Sequence, residues 1–273
     1  MPGQGMNGRS AGRAAQGGIR GASLATFVLV HGAMHGGWCW REVRQRMSAS
    51  GHEVYAPTLT GQGERRQALT PEVGISHHVT DLAELAYFED LSDIHLVLHS
   101  YAGVLAGPVA ERAAGRLASV TYLAAFIAAP GQSLLDAEPP EVAQRYRDLA
   151  VSDGGGWRVP ASPAFLDQWG VTDPVLRDQV GPRLTDFPLR CLTDPVHFDP
   201  EPLAKTRKVY VSHTRPPLPG LRKSAGLAAA AGWETHQLPF GHDLMLAAPR
   251  ETAELLAGIA RGPAHGPRTA GRP

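Results

Sequence analysis

Ile94-His95-Leu96-Val97-Leu98 runs straight into His99-Ser100-Tyr101-Ala102-Gly103. The first part reads as a short apolar strand buried on both faces, the pattern of a parallel sheet covered by helices. The spacing after it predicts a helix continuing to about Arg116. A serine on a sharp turn between such a strand and a helix projects its hydroxyl above the sheet. The helix start supplies backbone N–H groups and positive potential for an oxyanion. Serine is also a preferred helix N-cap, so the local sequence leaves two readings of Ser100, a nucleophile or a cap.

Working outward, strand-like and helix-like segments alternate. Thr26–Val30, Glu53–Ala56, Ser119–Leu123, Lys208–Ser212 and Thr235–Leu238 read as strands. Trp38–Ser50, Thr80–Asp90, Leu218–Gly232 and Pro249–Ala260 read as helices. This alternation predicts an α/β fold, a mostly parallel sheet flanked by helices. From Gly131 to about Pro200 the buried strand runs stop. Pro, Asp and Gly punctuate short helical pieces such as Pro140–Leu149 and Pro174–Val180, which predicts a helical cap over the sheet. The expected organisation is a basic tail over 1–22, the first part of the core over 23–130, the cap over 131–200, the second part of the core over 201–261, and a second tail over 262–273. Both tails are expected to be disordered.

With 43% hydrophobic and 19% charged residues, the chain has material for a substantial core, which excludes wholesale disorder. Two cysteines, Cys39 and Cys191, cannot make a disulfide framework and read as thiols in a reducing, cytoplasmic setting. Lys plus Arg and Asp plus Glu both number 26, but the tails hold five arginines and no acid, so the middle is net negative by five. A nucleic-acid binder places a basic stripe on its folded domain, so that class is dropped. No apolar run reaches membrane-spanning length, and the N-terminus does not read as a secretory signal.

Two further segments bear on Ser100. His31-Gly32-Ala33-Met34 follows the first strand, where a Gly-containing loop can turn a backbone N–H toward the serine. Gly241-His242-Asp243 follows the last strand, where a loop histidine can reach across the top of the sheet. The pairs His31/His35 and His95/His99 lack a convincing third ligand, so no metal site is expected. No phosphate-binding glycine loop occurs. Met34, Phe126, Leu244 and Met245 lie near motif ends and read either as pocket lining or as core.

These motifs together resemble a known group. Phe27–Trp40, which contains His31-Gly32-Ala33-Met34-His35-Gly36-Gly37, is similar to the opening segment of the α/β-hydrolase subgroup of plant methylesterases, hydroxynitrile lyases and their bacterial relatives. Ala56–Arg65, the Leu98–Gly103 turn, Trp169–Pro174 and Leu238–Met245 are similar to it as well, over roughly residues 25–258. The resemblance implies an α/β-hydrolase fold with Ser100 as nucleophile or proton relay and His242 as general base. It also implies an oxyanion hole from the backbone N–H groups of Ala33 and Tyr101.

The departures bear on function. The group usually has an acid after the strand Val209–Ser212, where this chain has His213-Thr214-Arg215-Pro216-Pro217. Many bacterial relatives carry Asp after the strand that follows the turn, and here the run is Tyr122-Leu123-Ala124-Ala125-Phe126. Leu98 replaces the glycine two before the nucleophile. Asp136, Asp194, Asp199 and Glu201 are candidate substitutes for the acid from the cap side. The expectation is a cofactor-independent enzyme cleaving a small apolar ester, thioester or lactone through a Ser–His pair. Non-hydrolytic lyase, elimination or cyclase chemistry at the same site is the alternative, and a non-catalytic small-molecule binder the third reading. The expected partner is a small carbonyl substrate, with room left for a homodimer.

Overall fold

A computed structural model describes residues 24–262; the two expected disordered tails lie almost wholly outside this range. Six parallel strands form the central sheet: β1 Thr26–Val30, β2 Glu53–Tyr55, β3 Ile94–His99, β4 Leu117–Leu123, and, after the segment over 131–200, Arg207–His213 and Glu234–Leu238. That segment contributes its own short strands, β5 Arg158–Val159 and β6 Phe187–Pro188, so the last two sheet strands are β7 and β8. The order across the sheet is β2-β1-β3-β4-β7-β8. β3 lies centrally, paired Val30↔Leu98 to β1 and His99↔Leu123 to β4. Phe27, Leu29, Val30, Leu96, Val97 and Leu98 are all buried, as a strand covered on both faces requires.

Helices α1 Arg41–Ala49, α2 Ile75–Phe88 and α3 Ala106–Arg112 connect the first four strands. Helix α2 begins five residues before the expected Thr80, because Gly74 opens it and the His77 ring nitrogen accepts the Gly74 N–H at 3.3 Å. Its inner face is Ile75, Val79, Leu82 and Ala86, all buried. The expected continuous helices after β1 and β3 each begin as a tighter 3₁₀ turn, Gly37–Trp40 and Ser100–Leu105.

Between β4 and β7 lie α4 Pro140–Ser152, α5 Ala164–Gln168, α6 Pro174–Val180 and α7 Arg190–Thr193, followed by α8 Pro200–Lys205. The segment is helical apart from the antiparallel pair β5–β6, joined at Val159↔Phe187. Two-residue strands carry no readable alternation, yet Val159 and Phe187 are fully buried. Helices α9 Pro219–Ala230, α10 Leu244–Ala247 and α11 Pro249–Ala260 complete the core. Among the described residues, no helix is long and apolar enough to cross a membrane.

Candidate active site

The turn after β3 bends at Ser100, whose φ is +54°. A non-glycine residue in this left-handed region is strained, and such strain persists only where the surroundings enforce it. Here β3 is clamped between β1 and β4, and the Phe126 N–H donates to the Ser100 carbonyl at 3.1 Å. The turn therefore forms although Leu98 stands where glycine is usual. Close approach is met at Gly32 instead. A Cβ there would lie 2.8 Å from the Ser100 Cβ and 2.9 Å from the His99 Nδ1.

The loop carrying Gly32 is fixed by two buried histidines. His31 donates from Nδ1 to the Gly32 carbonyl at 2.8 Å and accepts the Leu59 N–H on Nε2 at 3.0 Å. Accepting requires a neutral ring, and burial holds His31 down to about 3. His35 donates from Nδ1 to the Ala33 carbonyl at 2.8 Å. Beyond the serine, the Tyr101 hydroxyl donates to His78 Nδ1 at 2.9 Å, while His78 Nε2–H donates to the Thr60 carbonyl at 2.9 Å.

The loop after β8 brings His242 to the serine: Nε2 lies 2.9 Å from the Ser100 Oγ. The segment over 131–200 helps hold it, since the His242 N–H donates to the Trp169 carbonyl at 2.8 Å. His242 Nδ1 is buried and has no hydrogen-bond partner among the described residues. Its pKa is held well below 6.5, first by burial and then by the neighbouring rings of His99, His213 and His35. The His99 ring is 4.7 Å away and that of His213 5.0 Å, edge-on. His99 donates from Nε2 to the His242 carbonyl at 3.1 Å, and burial holds it at about 4.

Neither familiar acid position offers a carboxylate, for Ala124 and Pro216 stand there. The four cap-side candidates are also occupied elsewhere. Asp136 accepts from Ser133, Asp194 pairs with Arg190, Asp199 caps α8, and Glu201 pairs with Lys205 on the surface. The carboxylate beside the histidines is Asp243, fully buried, with neither oxygen hydrogen-bonded. It lies 3.4 Å from His35 Nε2 and 3.9 Å from His99 Nε2. Burial opposes a charge on His35, but the Asp243 carboxylate and the Ala33 carbonyl together outweigh it and raise that pKa. Ligand atoms of His99, His242 and Asp243 fall within 4.8 Å of one another, the one such donor cluster among the described residues. His99 and His242 each already face a hydrogen-bond partner through Nε2.

Ser100 and His242 open onto a cavity of about 480 Å³, open solvent at its mouth included. Ala33, Met34, Tyr101 and Phe126 line it. Leu244 and Met245 do not. Helix α10 turns both inward, and they are buried in the core. The rest of the wall includes Trp169, from the Trp169–Pro174 stretch, and residues without a local signal, among them Glu138, Tyr146, Phe165 and Phe187.

The strand order, the strained serine and the histidine loop define an α/β-hydrolase. A profile of the alpha/beta hydrolase family matches residues 27–255, and the chain belongs to that family. It is 33% identical over 245 residues to a carbendazim hydrolyzing esterase of Nocardioides sp. (strain SG-4G), covering 86% of this chain and all of that protein. It is 35% identical to salicylic acid-binding protein 2 of Nicotiana tabacum over 104 residues, 37% of this chain and 39% of that one. The fold is similar to an extracellular alpha/beta-hydrolase from a Paenibacillus species, with a TM-score of 0.75, 19% identity, and 86% and 98% of the two chains covered. It is also similar to tomato methylketone synthase I, with a TM-score of 0.73, 19% identity, and 87% and 98% covered. The protein is an esterase-like hydrolase.

Proposed function

We propose that the protein cleaves a small, largely apolar ester without a cofactor, Ser100 attacking the carbonyl carbon and His242 taking its proton. The observation that carries this is the 2.9 Å approach of His242 Nε2 to a serine hydroxyl on a strained turn facing an aromatic-lined cavity. As Oγ bonds to carbon, the carbonyl electron pair moves to oxygen. The backbone N–H groups of Ala33 and Tyr101 receive that charge. The imidazolium then returns its proton to the departing alkoxide, and water repeats the sequence to release the acid.

His242 lacks the carboxylate that normally stabilises its protonated form, and losing that acid in a serine protease lowers turnover by ~10⁴. The pair therefore suits substrates with a good leaving group, such as aryl esters, thioesters and strained lactones. The full-length relative is named for hydrolysing carbendazim, and its substrate scope is a starting set for assays. The test is hydrolysis of 4-nitrophenyl acetate by the wild type, Ser100→Ala and His242→Ala. Turnover lost in both variants supports the reading; turnover kept in both removes it.

The unpartnered His242 Nδ1 favours a second reading. A neutral, buried imidazole beside a hydroxyl and an oxyanion site can shuttle a proton for carbon–carbon cleavage or elimination without acylation. That reading requires both residues for turnover but no acyl-enzyme.

A further inference from the structure

Glu138, four residues after Leu134 and just before α4, lines the same cavity as Ser100. Among the described residues, its carboxyl makes no hydrogen bond and no ion pair. The rings of Tyr146, Phe165 and Trp169 line that cavity as well. These three form a run of parallel faces, Tyr146 over Phe165 at 6.3 Å and 7°, Phe165 over Trp169 at 5.5 Å and 20°. The carboxyl occupies space left by Gly220 near the start of α9, where even a methyl group would collide with Oε2. A half-buried carboxyl with no protein partner costs free energy unless a proton or a donor meets it. Burial pushes Glu138 up to about 7. The chain thus keeps an unpaired acid in a wall that carries three stacked rings and leaves out a side chain to make room for it.

We propose that Glu138 recognises a substrate nitrogen, an ammonium or an N–H donor, on a flat group lying against Tyr146, Phe165 and Trp169. This rests on the ester-cleavage reading for what happens at Ser100. A donor on the ligand would satisfy the carboxyl, and the ring faces would attract a cation or stack on a planar heteroarene. Glu138 is then a specificity residue that holds the substrate while the serine and histidine act on the carbonyl.

The test uses competitive inhibition of 4-nitrophenyl acetate cleavage, which does not depend on which side of the ester carries the nitrogen. Benzylammonium and benzyl alcohol match in size and differ in charge. Benzylammonium is expected to inhibit the wild type ~10-fold or more better than the alcohol, the scale of a hydrogen bond to a charged group. Glu138→Gln and Glu138→Leu should bring that ratio close to one. Gly220→Ala, whose methyl group displaces the carboxyl while leaving it in the sequence, should lower the ratio as well. Equal inhibition of the wild type by both compounds overturns the proposal, as does a ratio unchanged in all three variants. If the wild type cleaves no aryl ester, calorimetric binding of the same two compounds reads the ratio directly. A Glu138-dependent preference there keeps this proposal and sinks the ester reading instead.

Discussion

The Ser100 hydroxyl stands 2.9 Å from His242 Nε2, while the opposite nitrogen of that ring, Nδ1, is buried with no hydrogen-bond partner. The two ends of the imidazole are unequally served. One is aimed at the reacting hydroxyl, and the other lacks the acceptor that would steady the ring once it carries a proton. The rings of His99 and His213 pack against it, 4.7 and 5.0 Å away.

The first consequence is a pH profile. Burial and the His99, His213 and His35 rings hold His242 well below 6.5. A base with a lowered pKa stays neutral as the medium becomes acidic, so kcat/KM should show no acid limb near the ordinary histidine value. Rates for an aryl acetate from about pH 5 to about pH 9 check this. A limb centred at 6.5 or above would mean that the ring is solvated or paired with an acid.

A second consequence concerns His213. Its ring meets that of His242 edge-on at 5.0 Å, at the end of β7 and three residues before Pro216, which stands at one of the familiar acid positions. His213→Asp would put a carboxylate beside His242. It should raise kcat on a non-activated methyl ester by about tenfold, well short of the ~10⁴ that an aligned acid provides. It should also move the acid limb upward, toward neutrality. Unchanged kcat with an unchanged limb would show that the carboxylate does not reach Nδ1.

Gly32 gives a third. A methyl group there would press on the Ser100 Cβ at 2.8 Å and on His99 at 2.9 Å, both in rigid surroundings. Gly32→Ala should cost ~1–3 kcal/mol in stability, as overpacking does. It should also lower kcat by ~10²-fold, because the loop and serine can no longer hold their separation. Denaturant melts and steady-state kinetics read the two effects separately.

The fourth concerns the buried His35–Asp243 pair at 3.4 Å. His35 has a raised pKa, so the folded state holds its proton more tightly than the unfolded state. The stability this adds is fully present below 6.5 and is lost as pH rises through the raised value. Asp243→Asn removes the carboxylate and should cost ~3–5 kcal/mol at acidic pH, the scale for breaking a buried pair. The difference between wild type and variant should shrink as pH rises. A difference constant with pH would show that the pair is not ionised.

Much of this was legible in the sequence where the physics is local. An apolar run buried on both faces marks β1, β3 and β4, and a serine between strand and helix marks the turn. His242 follows from its place after the last strand. Most of the cavity wall was not legible. Leu244 and Met245 sit beside His242 in sequence, but a one-turn helix rotates them into the core. Glu138, Phe165 and Phe187 come from a segment whose short pieces carry no periodicity, so only the fold places them. Asp243 was in plain view beside His242. Adjacent residues diverge on a loop, and nothing local says that its carboxylate faces His35 rather than solvent.

The most direct measurement is the intact mass of the protein after exposure to a fluorophosphonate, followed by mapping of the modified peptide. Attack by Ser100 with His242 as base predicts one adduct, on Ser100, absent in Ser100→Ala and formed far more slowly in His242→Ala. No adduct on the wild type, or an adduct formed at the same rate without His242, would contradict it.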